Sequence, residues 1–81
     1  MAIELTLMSR GYCHLCHDME AELAPLAAEF GATVTVVDVD ADPALEAKYD
    51  ELVPVLLHGE TELCHYFLDG AKTREYLAQI R

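Results

Sequence analysis

The chain is 81 residues long and carries 15 acidic against 5 basic side chains, a formal charge of −10. That length holds one domain, 1–81, with a modest core, and that charge disfavours nucleic acid phosphates and anionic membrane surfaces as partners. Apolar residues make up 53% and there are 3 cysteines, too few and of the wrong parity for a disulfide scaffold, which points to a reducing cytoplasm.

The N-terminal stretch MAIELTLMSR has no basic leader and no continuous apolar run, so neither a signal peptide nor a membrane span is expected. From Ile3 to Met8 apolar and polar residues alternate with the period of a strand, and Ser9-Arg10-Gly11 breaks it. Leu15, Met19, Leu23, Leu26 and Phe30 then recur at helical spacing, with Gly31 as the stop. Pro25 falls inside that stripe, where it has no amide to donate to Ala21, and predicts a kink or an early end. Thr33–Val39 is dense in β-branched residues and reads as a second strand. Asp42 and Pro43 are the N-cap and first turn of a short helix ending near Tyr49. Val55–His58 and Thr61–Tyr66 form a hairpin across Gly59-Glu60, with glycine at the first central position of a type II′ turn. A last helix starts near Gly70, capped by Asp69, with Thr73, Leu77 and Ile80 inward and Lys72 and Arg74 outward.

The order is β-α-β-α-β-β-α. Its first two strands are parallel with a right-handed helical crossover, its last two form a hairpin, and the whole makes one α/β, four-stranded mixed sheet flanked by helices on both faces.

Between the first strand and the first helix lies Tyr12-Cys13-His14-Leu15-Cys16-His17. C-x-x-C serves a redox dithiol or half a zinc site, and C-x-x-C-H a haem attachment. Haem attachment needs export and a haem-wrapping helical fold, and this chain suggests neither. Zinc can draw on Cys13, Cys16 and His17 together with His58, Cys64 or His65, but a β-β-α ending puts Cys64 well along an outer strand, away from the helix tip. We therefore expect no metal and no bound cofactor. A dithiol at a helix N-terminus suits redox work, because the unpaired amides and the positive end of the dipole stabilise a thiolate. Cys13, at or just before the helix start, is the better nucleophile; Cys16, one turn in, acts second. His14 can add positive charge beside the sulfur, and Tyr12 can wall an incoming substrate. His17 reads as a solvated surface residue and Cys64 as a small buried hydrophobe.

These residues in this order resemble the thioredoxin superfamily, and within it a small glutaredoxin-like protein. The resemblance is carried by Cys13-His14-Leu15-Cys16 after the first strand, Val53-Pro54 before the third, and the terminal ββα unit. It implies a thioredoxin-like fold and reversible dithiol-disulfide exchange with a protein or small-molecule thiol or disulfide. It also implies a cis Val53-Pro54 bond facing the dithiol, the backbone before Pro54 being free to pair with substrate. Arg10 falls where many glutaredoxins hold a glutathione carboxylate with a cation. Two departures stand against glutathione as electron donor: His14 replaces the usual proline after the first cysteine, and the glycine pair of the last helix is reduced to Leu68-Asp69-Gly70. The alternatives carried beside this reading are a thioredoxin-fold binding module without turnover, and a zinc or iron–sulfur protein, since some glutaredoxins bind a cluster shared between subunits.

Overall fold

In the computed structural model, which describes residues 3–80, the alternation at the N-terminus forms strand β1, Ile3–Ser9. Helix α1, His14–Phe30, follows, then β2, Ala32–Asp38, a 3₁₀ turn at Val39–Ala41 and α2, Pro43–Tyr49. The chain ends with β3, Val55–His58, β4, Thr61–His65, and α3, Gly70–Ile80. The strand order is β2-β1-β3-β4. β1 pairs parallel with β2 and antiparallel with β3, and β3 pairs antiparallel with β4. The mixed sheet predicted above is therefore the one observed, with the thioredoxin-like order of elements.

Each face of the sheet has its own core. On one, Ile3, Leu5 and Leu7 of β1 and Leu56 of β3 meet Met19, Leu23 and Leu26 of α1 and Leu77 of α3. On the other, Met8, Val55 and Leu57 meet Val39, Tyr49, Val53 and Cys16. This division follows from the pleat: neighbouring residues of β1 and β3 point to opposite faces, and both faces are covered. Cys16 thus belongs to the core beneath α2 although it lies on α1.

Helix α1 runs through Pro25 to Phe30, so of the kink or early end predicted at Pro25 the early end does not occur. Pro25 is exposed, while Leu23, Leu26 and Ala27 are buried around it; the packed face carries the helix past the missing hydrogen bond. Gly31 ends α1 in the left-handed region at φ 65°, donating its N–H to the carbonyls of Ala27 and Ala28. β2 begins and ends one residue earlier than its sequence pattern, because Val39 leaves the strand to start the 3₁₀ turn and is wholly buried there.

The hairpin turns at Gly59 with φ 62°, and Leu63 is the extra residue of a bulge opposite Leu56 and Leu57. β4 stops at His65, one residue short of the predicted Tyr66, because Tyr66 itself takes φ 64° and cannot continue a ladder. Thr73 and Leu77 point inward as expected. Ile80 does not: it is the last residue of α3, with no further turn to cover it, and lies exposed. Tyr76 fills the partly buried place on that face, its hydroxyl 2.7 Å from His58 Nδ1.

Asp69 caps α3, its Oδ1 accepting the Lys72 N–H at 3.0 Å. Replacing Asp69 with alanine orphans that amide, and the expected loss is about 1 kcal/mol. Urea unfolding should show a lower midpoint at unchanged slope.

Candidate functional site

The dithiol stands where the sequence put it, at the junction of β1 and α1. Gly11 and Tyr12 turn the chain, Cys13 N–H donates to the Arg10 carbonyl at 3.2 Å, and Cys13 becomes the N-cap of α1 in extended backbone, φ −97° and ψ 113°. A helix start leaves its first amides without backbone partners. The Cys16 N–H answers this by donating to Cys13 Sγ at 3.2 Å, so the sulfur takes the place that a serine or aspartate oxygen fills in an ordinary cap. Cys13 and Cys16 form a disulfide with a Cα–Cα distance of 5.2 Å. Cys13 is half-buried and packs at the edge of the second core, whereas Cys16 is 0% exposed within it. One sulfur is therefore reachable and the other is not.

Val53 and Pro54 form the floor beside this pair. Their bond is cis, and both residues are buried, Val53 in the same core as Cys16. The Pro54 carbonyl accepts the Tyr66 N–H at 2.9 Å, which ties the loop after β4 to the same floor. The backbone before Pro54 is only partly open: the Val53 N–H donates to the Tyr49 carbonyl at 3.2 Å, closing the last turn of α2.

Arg10 is held elsewhere than on a sulfur. Its Nε donates to Asp40 at 3.1 Å and its Nη2 to Asp50 at 2.8 Å. These bonds, Asp50 first, raise its pKa further, so the guanidinium is charged at any accessible pH and matched by two carboxylates. Lys48 lies over the Tyr49 ring at 5.3 Å. His14 points into solvent, 4.0 Å from Asp18, and Tyr12 is 84% exposed next to Cys13. Asp69 serves as the cap described above. The structure thus brings Cys13, Cys16 and Val53 into one core, with Pro54 buried next to Val53 in the chain, and leaves Tyr12 and His14 exposed beside the cysteines.

The partners of Arg10, Asp40 and Asp50, lie 30 and 40 residues away and have no local signal in the sequence. Cys64 is free and half-buried on the outer strand. Among the described residues no three or more His, Cys, Asp or Glu side chains converge as a metal site requires. Among the described residues no helix is long and apolar enough to cross a membrane.

The family profile described as Glutaredoxin-like domain (DUF836) matches residues 4–78. The solution structure of protein Ne2328 from Nitrosomonas europaea is similar at 36% identity and TM-score 0.79, covering 91% of this chain and 89% of that one. The crystal structure of protein XcR50 from X. campestris is similar at 35% identity and TM-score 0.72, covering 95% and 99%. An uncharacterized protein of Mycobacterium tuberculosis, Rv0508, is 27% identical over 94% of this chain and 84% of its own. At 18% identity and TM-score 0.58, covering 98% and 96%, the glutaredoxin-like NrdH-redoxin of Escherichia coli shares the fold.

Proposed function

The chain belongs to the glutaredoxin-like domain family, and from that membership and the geometry of its cysteines we propose that it is a thiol-disulfide oxidoreductase of the cytoplasm. The observation that carries the reading is the Cys16 N–H aimed at Cys13 Sγ from the first turn of α1. A donor fixed on a sulfur at the positive end of a helix favours the thiolate, which is the nucleophile in disulfide exchange. In the reduced protein the Cys13 thiolate attacks one sulfur of a substrate disulfide. A new S–S bond forms, and the other substrate sulfur leaves as a thiolate and takes up a proton. Cys16, deprotonated, then attacks Cys13 Sγ, closing the Cys13–Cys16 disulfide and releasing the second substrate thiolate. The protein is oxidised by two electrons and the substrate reduced by two; a dithiol donor reverses the cycle.

The buried floor of Val53 and Pro54 supports this by keeping water from one side of the exchange, and burial of Cys16 leaves Cys13 as the sulfur a substrate can reach. A disulfide-reduction assay with metal analysis of the purified protein tests the reading. Turnover by metal-free protein is the expected result; stoichiometric zinc or a coloured cluster without turnover supports a metal-binding role, and neither metal nor turnover a binding module.

Glutathione should be a poor reductant. Arg10 is already matched by Asp40 and Asp50, Lys48 lies on Tyr49, and the net charge of −10 repels an anionic tripeptide. The expected rate in a glutathione-coupled assay is about tenfold or more below that of an ordinary glutaredoxin, the scale on which like charge discriminates between partners. Comparable rates would show that the matched cations and the missing glycine pair have no influence on donor choice.

A further inference from the structure

Six large apolar side chains stand exposed among the described residues, Tyr12, Val36, Leu52, Tyr66, Phe67 and Ile80. Val36 lies on the edge strand β2 and Ile80 at the end of α3. The other four sit on the loop that carries the dithiol and on two loops tied to it through Val53 and Pro54. Tyr12 precedes Cys13; Leu52 precedes Val53, which shares a core with Cys16; Tyr66 is bonded to the Pro54 carbonyl. Phe67 follows Tyr66 and is 70% exposed. Its display is enforced. Tyr66 holds φ 64°, a conformation unfavourable for a bulky residue, and the Phe67 N–H closes the turn onto the His65 carbonyl at 2.7 Å. Strain kept at a functional site is a sign of presentation rather than of packing, and aromatic side chains gathered at the rim of a reactive group mark a surface for a macromolecular partner.

The surroundings select the kind of partner. The segment from the end of β2 to just past α2 carries Asp38, Asp40, Asp42, Glu46, Asp50 and Glu51 against Lys48. Only Asp40 and Asp50 are answered by Arg10. A second copy of this chain, itself at −10, is repelled, and so is a small anionic thiol.

We propose that Tyr12, Leu52, Tyr66 and Phe67 form a docking surface for a protein disulfide presented in a segment with an apolar residue beside the cysteine and lysine or arginine further out. The proposal rests on the exchange activity argued above and names its substrate class. The patch covers the apolar residue while the disulfide meets Cys13, and the acidic α2 side draws in the basic flank, raising the rate of encounter at low salt.

The test uses single turnover of the reduced full-length protein with three disulfides. Two are peptides sharing one intramolecular disulfide with a leucine beside it, one flanked by lysines and the other by glutamates; the third is bis(hydroxyethyl) disulfide, small and neutral. At low ionic strength the lysine-flanked peptide should react about tenfold or more faster than the glutamate-flanked one, and the gap should narrow at about 1 M salt, where charge is screened within a few ångströms. In Phe67→Ser the rate ratio of lysine-flanked peptide to small disulfide should fall by about tenfold, the scale at which loss of an interface anchor is felt. A merely structural role for Phe67 lowers both rates together and leaves the ratio unmoved. Equal rates for the two peptides, or an unmoved ratio in Phe67→Ser, overturns the docking surface while exchange with the small disulfide keeps the redox reading intact. No reaction with any of the three overturns both.

Discussion

Cys13→Ser should reduce disulfide exchange to background, a loss on the order of 10³-fold or more, as for removal of a covalent nucleophile. Cys16→Ser should instead stall the reaction halfway, accumulating a mixed disulfide between Cys13 and the substrate thiol. The asymmetry follows from position. Cys13 is half-buried at the cap and receives the Cys16 N–H; Cys16 is wholly buried with Met8, Val39 and Val53, and burial disfavours a charged sulfur. Alkylation of the reduced protein, mapped by peptide mass, should therefore label Cys13 first at pH values well below the ordinary thiol range of about 8.5. Cys64, half-buried on β4, serves as internal reference and should label later. An adduct that persists in Cys13→Ser and vanishes in Cys16→Ser would reverse the two roles.

The elements that carry this site were legible because their signals are local. A strand that stops at Ser9-Arg10-Gly11, a stripe from Leu15 to Phe30 and a proline before β3 need only sequence neighbours to be read. The place of Cys13 at the helix start was legible for the same reason, whereas the cap its sulfur forms with the Cys16 N–H is read only from the structure. The places where the reading missed are those decided by packing or by distant partners. Of the kink or early end expected at Pro25, the early end is absent, because Leu23, Leu26 and Ala27 are buried around it and hold the helix on. Val39 looked like a strand residue by composition, yet it is buried in the 3₁₀ turn after β2. Arg10 looked available to a substrate carboxylate, and only the fold brings Asp40 and Asp50 to it. Tyr66 and Phe67 carried a weak signal, two aromatics ahead of the Asp69 cap. The backbone reversal at Tyr66 that exposes Phe67 has no sequence signature, since tyrosine is unfavourable there.

Leu7→Ala should be the most damaging single change to the fold, with an expected cost of about 2 to 5 kcal/mol from lost burial and the cavity left behind. Leu7 is 0% exposed in the central strand β1; its register partners are Val36 on β2 and Leu56 on β3, and it shares a core with Met19, Leu23 and Leu77. These neighbours belong to strands and helices, so little can collapse into the space. Against a total of about 4 to 12 kcal/mol, at the usual 0.05 to 0.15 per residue, that cost removes a large part of the stability. With a urea slope of about 1 kcal/mol/M for so small a domain, the midpoint should fall by about 2 M or more. Val36→Ala is the control: Val36 pairs with Leu7 but is exposed on the sheet edge, and its loss should stay within about 1 kcal/mol. Leu7 and the dithiol are linked through β1. The strand ends at Ser9, so its packing sets where Arg10, the turn and the Cys13 cap fall. In the fraction of Leu7→Ala that remains folded, alkylation should still label Cys13 before Cys16, because the donor on Cys13 Sγ comes from α1 itself; loss of that order in folded protein would show that β1 packing, and not the helix start, fixes which sulfur reacts.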